Sequence, residues 1–246
     1  MLDTTPWPGL TLVSQITAGN RNEVWEGELD GSKVAVRQSR RSAASLQWEL
    51  DLLVHLSERD FHVPVPVPAS TGALQVAGIV VQRWLEGAEP VSRSDWALVA
   101  SELQRLHRVG AHYPQRPESC SILELADQRV SVDADLDAMP TGPQHQVVAE
   151  FARFADAPVS LIHGDPWAPN IRVVDGRVGL LDWDESRVDV SWHDLSNLQV
   201  QVLDDVTHER AQRLSNAWEA ANGWIAEPDY ARARLTKLTV YDQRVS

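Results

Sequence analysis

Between residues 163 and 185 the run HGDPWAPNIRVVDGRVGLLDWDE gathers the side chains best able to do chemistry: His163, Asp165, Asn170, Asp182, Asp184 and Glu185. Asp165 stands on a loop between two apolar strands. There a carboxylate meets ligand and can accept a hydroxyl proton or orient a nucleophile. Asn170 and Asp182 are hard oxygen donors, and Mg2+ takes oxygen ligands at about 2.1 Å while keeping positions for phosphates and water. One such residue at a strand end is commonly a turn cap. An amide and two carboxylates at this spacing instead point to a metal-assisted site.

The elements around these residues decide whether they can meet. Asp175-Gly176 reads as a two-residue turn, which sets Val174 opposite Arg177, Ile171 opposite Leu180 and Asn170 opposite Leu181. Asn170 and Asp182 then lie side by side at the hairpin's open end. Strict alternation would send them to opposite faces, so one of them must leave regular strand geometry.

The first 40 residues read as strands over 10–16, 23–29 and 33–38, with Asp30-Gly31 as a hairpin turn. A helix is expected over 42–58 from Leu46, Leu50, Leu53 and Leu56. VPVPVP (63–68) must be extended, and GIVVQRWL (78–85) is a further strand. Helices are expected from there on over 94–109, 121–137, 144–155, 192–203, 206–222 and 228–239. A sheet-rich front and a helix-rich back predict an α+β fold of two lobes, residues 1–86 and 87–246, with a cleft between them.

Glu49 supplies an internal check on this reading. With Leu46 at 0°, the other three leucines fall at about 40°, 340° and 280° on a helix, and Glu49 at about 300°, inside the apolar stripe. A carboxylate there needs a partner. Arg37 on the neighbouring strand is the natural one.

The totals narrow the classes. A chain of 246 residues holds one large domain or two small ones. No eighteen-residue apolar run and no signal-like N-terminus is present, so neither membrane nor export is expected, and the chain is read as cytoplasmic. Cys120, the single cysteine, fits a reducing compartment. A formal charge of -13 and a pI near 5.0 argue against nucleic acid. The same acidity serves solubility or draws in a cationic substrate.

HGDPWAPN, followed twelve residues later by DWD, resembles the H-G-D-x-x-x-x-N and D-W-[DE] motifs of the aminoglycoside phosphotransferase and choline kinase family. The resemblance implies a protein-kinase-like fold, with a small antiparallel sheet lobe and a larger helical lobe. It implies Asp165 as the catalytic base, Asn170 and Asp182 as magnesium ligands, and His163 as a brace for the loop. TAGNRNEVWEG would be the phosphate-covering turn, offering backbone N–H groups of Ala18, Gly19 and Asn20. Arg37 stands where the family has a phosphate-contacting lysine; arginine keeps the charge but is bulkier. Glu49 would position it. VVQRWLEG resembles the nucleotide-base hinge, with contacts from Gln82 to Leu85, Trp84 included. DVSWHDLS resembles a segment in which Asp194 braces the catalytic loop, and LQRLH a helix in which His107 is structural. The similarity spans roughly residues 10 to 200.

It implies transfer of the γ-phosphate of ATP, with GTP possible, in the presence of Mg2+, to a hydroxyl of a cationic acceptor such as an aminoglycoside. Asp184, Glu185, Asp204, Asp205 and Glu219 are candidates for gripping ammonium groups. A monomer or weak homodimer is expected. Choline, an amino sugar, homoserine or a macrolide remain alternative acceptors. A catalytically weak, kinase-like nucleotide-binding protein is a second class, and a metal-dependent hydrolase built on His163, Asp165 and Asp182 a third. No P-loop pattern is present.

Overall fold

A computed structural model describes residues 2–16, 23–127 and 130–245, with side-chain surroundings described through residue 238. The chain forms two compact units, Met1–Glu89 with Pro169–Leu181, and Pro90–Ala168 with Asp182–Ser246.

In the first unit, β1 (Thr11–Ile16), β2 (Glu23–Leu29), β3 (Ser32–Gln38) and β4 (Ile79–Arg83) lie in that order, each pair antiparallel. Asp30 and Gly31 take φ of 50° and 72°, as a two-residue hairpin turn requires, so Leu29 meets Ser32. Trp7, Val34, Val36, Ala69, Ile79 and Val81 form the core against this sheet. Helix α1 (Ala43–Ser57) starts at Ser42, whose hydroxyl accepts the Ser45 N–H, and buries Leu46, Leu50, Leu53 and Leu56 together with Glu49. The Val-Pro run lies extended beside β4: Val67 donates to the Val81 carbonyl at 2.7 Å and Arg83 to that of Val65 at 2.9 Å. Its prolines have no N–H to place, which suits an edge.

The hairpin of β6 (Ile171–Val174) and β7 (Arg177–Leu180) belongs to this unit although the rest of the unit ends at Glu89, β5 (Val159–Ile162) being in the second unit. A bridge from Ala88 to Val173 and another from His62 to Gly179 attach it. Its register matches the sequence expectation, Ile171 facing Leu180 and Val174 facing Arg177.

In the second unit, β5 (Val159–Ile162) pairs antiparallel with β8 (Arg187–Val190). Around them stand α2 (Arg93–Val109), α3 (Ile122–Ala126), α4 (Thr141–Ala152), α5 (Trp192–Leu195), α6 (Asp205–Asn222) and α7 (Pro228–Val245). Ser92 and Asp95 close a reciprocal capping box on α2. Val147, Phe151, Phe154, Leu214, Trp218 and Leu238 centre the core.

Three helix expectations need correction. The helix expected over 121–137 is α only to Ala126, with a 3-10 turn at Leu136–Ala138, because serine and aspartate side chains take over the backbone N–H groups of Asp133, Asp137 and Ala138. The helix expected over 192–203 stops at Leu195, where the Ser196 hydroxyl bonds back to the His193 carbonyl at 2.8 Å. The helix expected over 144–155 begins earlier, α4 starting at Thr141. Pro143 falls in its first turn, where no backbone N–H is needed. Among the described residues no helix is long and apolar enough to cross a membrane.

Candidate active site

Asp165 follows β5 on a loop whose backbone is held from behind. One Asp194 oxygen accepts the His163 N–H at 2.8 Å and the His107 Nε2–H at 2.9 Å; the other accepts the Gly164 N–H at 2.9 Å. Burial pushes the Asp194 carboxyl upward. The His107 hydrogen bond and charge and the Gly164 N–H outweigh that and hold it at about 2. Asp194 is therefore an anion at neutral pH, able to anchor a turn that β5 leaves without strand partners. His163 is fully buried, its Nδ1 accepting the Asp165 N–H at 3.3 Å and its ring tilted on Trp183 with centroids 4.8 Å apart. Asp165 itself is part-exposed.

The second loop of this unit lies directly against the first. Gly164 has φ of +94°, and a Cβ there would meet the Glu185 carbonyl carbon at 2.8 Å and its side chain at 2.9 Å. The Ser186 hydroxyl donates to the Ile162 carbonyl at 2.7 Å. Asp182 opens this loop in a left-handed conformation, φ 53°, with its side chain exposed. That conformation takes Asp182 out of strand alternation, as a short polar residue tolerates. Asn170 departs as well: it ends a 3-10 turn, Ala168–Asn170, and is buried. Its carbonyl accepts the Leu181 N–H at 2.8 Å, so the hairpin's open end is tied at Asn170 and at the residue before Asp182. Both residues leave strand geometry, where the sequence required only one to do so.

In the first unit, Arg37 of β3 sits opposite Val80 and forms a buried ion pair with Glu49 of α1; the two are 6% and 1% exposed. The pair that the helical phase demanded is formed. Gln82 on β4 is buried opposite Ala35. Trp84, just past β4, is half-buried, with the Lys33 ammonium 3.8 Å above its ring, and Lys33 is paired with Glu26 at 3.1 Å. One face of Trp84 is thereby occupied. Gly19 and Asn20 lie outside the described residues.

The acidic candidates have separate fates. Asp204 caps α6 by accepting from Thr207, Asp205 accepts from Gln201, and Glu219 accepts from Tyr230. Asp184 is buried and Glu185 half-buried in the second loop. Among the described residues no three His, Cys, Asp or Glu side chains gather as a metal cluster. Reading by motif also passed over Arg116 and the buried pairs Arg187–Asp189 (2.8 Å) and Arg213–Glu150 (2.7 Å). Arg213 shares its face of α6 with Glu209, Arg210 and Asn216, and Arg116 lies on a loop, so neither carries a periodic signal.

Comparison with known proteins gives a concordant result. A family model described as "Phosphotransferase enzyme family" matches residues 13–236. A homoserine kinase of Rhizobium meliloti (strain 1021) is 25% identical over 162 residues, 59% of this chain, and the match spans about half of that relative, 49%. Among solved structures, an amicoumacin kinase in complex with AMP-PNP and Ca2+ superposes with TM-score 0.60 at 19% identity, over 96% of this chain and 81% of its own. A choline kinase from Streptococcus pneumoniae gives TM-score 0.65 at 16% identity, over 93% and 92%.

Proposed function

The chain belongs to the phosphotransferase enzyme family, and from that premise we propose that it is a Mg2+-dependent small-molecule kinase. On this reading it moves the γ-phosphate of ATP to a hydroxyl of a small cationic acceptor. Its protein-kinase-like α+β fold is common to structures solved as kinases of small molecules. The observation that carries the reading is the anchoring of the 163–165 turn by Asp194, which presents Asp165 on a rigid backbone beside the loop that Asp182 opens.

Asp165 would accept a hydrogen bond from the acceptor hydroxyl, align its oxygen with the phosphorus, and take the proton late in transfer. A base held rigidly contributes through orientation as much as through basicity. Asn170 and Asp182 fit a hard divalent ion: an amide oxygen and a carboxylate, with few enough protein donors to leave room for phosphate oxygens. When bound, Mg2+ supplies charge to offset that of the phosphates. Arg37, oriented by Glu49, would hold phosphate oxygens through two N–H donors. Gly19 and Asn20 would offer backbone N–H groups to the same phosphates, and Gln82 and Trp84 would border the base. GTP is the alternative donor.

Choline is a small alcohol with a net positive charge, which the -13 charge of this chain favours; homoserine carries an ammonium but also a carboxylate, so the field favours it less. An aminoglycoside is the larger version of the same chemistry, and an amino sugar lies between. Arginine in place of lysine at position 37 favours a second reading, a slow, nucleotide-binding relative; turnover numbers separate the two.

The test is nucleotide-diphosphate release across a panel of cationic antibiotics, choline, homoserine and amino sugars, with ATP or GTP and with or without Mg2+. Asp165→Asn should lower kcat by roughly 10²–10⁴-fold for whichever acceptor works while nucleotide affinity is kept. Full turnover in that variant removes Asp165 from its role.

A further inference from the structure

Arg116 belongs to no motif and lies on the loop between α2 and α3, yet it is 1% exposed. Its Nη1 donates towards the carbonyl oxygens of Trp183 at 3.0 Å, Asp184 at 2.8 Å and Ser186 at 3.3 Å. Carbonyl oxygens turned towards one point repel each other unless a donor or cation stands there, and one buried guanidinium nitrogen serves all of them through shared hydrogen bonds. The segment is itself fixed. The Gln115 amide donates to the Val188 carbonyl at 2.8 Å and accepts the Val188 N–H at 2.9 Å and the Arg116 N–H at 2.9 Å. Gln115 thus copies a strand's pairing to β8, and Arg116 reaches from that anchor under the 183–186 loop.

Asp182 is the residue immediately before these carbonyls, and its left-handed backbone is a conformation that an aspartate tolerates at some cost. We propose that Arg116 is a positioning residue for the metal–nucleotide site: by gathering the carbonyls of residues 183, 184 and 186 it holds the loop in the shape that presents the Asp182 carboxylate to a divalent ion. This rests on the kinase reading above and assigns a role to a residue that touches neither nucleotide nor acceptor. Lysine cannot replace it fully, because an ammonium is a compact point charge rather than a planar fork.

The test is direct binding of Mn2+ in the presence of a non-hydrolysable ATP analogue, followed by electron paramagnetic resonance, on wild type, Arg116→Met and Arg116→Lys, with circular dichroism confirming folding. Arg116→Met should weaken Mn2+ binding by roughly 10–100-fold, the usual effect of removing a group that orients a metal ligand, and Arg116→Lys should recover part of the loss. Affinity for the analogue without metal should stay at the wild-type value. Folded variants that bind Mn2+ as wild type does, and differ only in melting temperature, overturn the role of Arg116 and leave the kinase reading intact. If Arg116→Met does not fold, Arg116→Lys decides alone, unchanged Mn2+ affinity overturning the proposal. A wild-type protein that binds no Mn2+–nucleotide overturns the kinase reading itself.

Discussion

At the scale of single residues, two buried neighbours on α5 are held in contrasting charge states by their different partners. Asp194 stays charged because three hydrogen bonds, from His107, His163 and Gly164, stabilise the anion. His193 has no such company: burial, and then the positive Arg187 nearby, drive its pKa down to about 3 against Asp194's pull. The unfolded chain protonates His193 near pH 6.5, the folded chain only near 3, so acidification through that window favours unfolding. Lowered values at His55 and His62, each chiefly from burial, act in the same direction. Asp194 acts lower on the scale: its contribution is complete above about 3.8 and is lost as pH falls through about 2. His193→Phe keeps the ring against Trp218 and removes nitrogens that make no hydrogen bond. Its melting temperature, measured by calorimetry from pH 7 to pH 4.5, should therefore fall less steeply than that of wild type. A parallel profile would mean that His193 is not a source of the acid sensitivity. Residue types and their spacing nominated Asp165, Asn170 and Asp182 as candidates, and a helical wheel was enough to pair Glu49 with Arg37. Arg116 was out of reach because its partners are backbone carbonyls, which every sequence possesses.

At the scale of elements, two tight turns of similar φ carry different loads. Gly164, at φ +94°, is closed in by the backbone of Glu185, whereas Gly176, at φ +75°, has nothing within 4 Å of where a Cβ would stand. Gly176→Ala therefore meets only the backbone cost of a left-handed residue, about 1–2 kcal/mol, with turnover unchanged. Gly164→Ala must also push the two loops apart; urea titration should show at least that cost, and kcat should fall with it. Equal urea midpoints for the two variants, both fully active, would contradict the close approach of the loops. Hairpins were legible because turn chemistry sets register locally, as at Asp175-Gly176. Helix ends after residue 120 were less so. Serine and aspartate side chains compete for backbone N–H groups there, and which bond forms depends on neighbours that periodicity does not register.

At the scale of the whole molecule, 35 acidic against 22 basic side chains give a negative field around the chain. If the acceptor is cationic, kcat/KM for it at saturating nucleotide should fall by roughly tenfold from low to physiological salt, as screening shortens the reach of that field. A salt-independent kcat/KM would favour a neutral acceptor. The first compact unit is assembled from two stretches of chain, 1–89 and 169–181, so Asn170 shares a unit with Arg37 and Glu49 while Asp165 and Asp182 belong to the other. No boundary drawn once along the sequence describes that division.

What the sequence determined by itself was chemical and local: the oxygen donors, the hairpin register, the phase that placed Glu49 among leucines. Each follows from residue identity and a spacing of a few positions, over which backbone geometry is nearly invariant. Tertiary structure alone decided what depends on distant chain coming into contact. It set the left-handed turn at Asp182 over the Arg116 donors, the anchoring of His163 and Gly164 on a carboxylate thirty residues away, and the return of 169–181 to the first unit. Such contacts form because buried backbone groups must find partners, and many segments could have supplied them equally well.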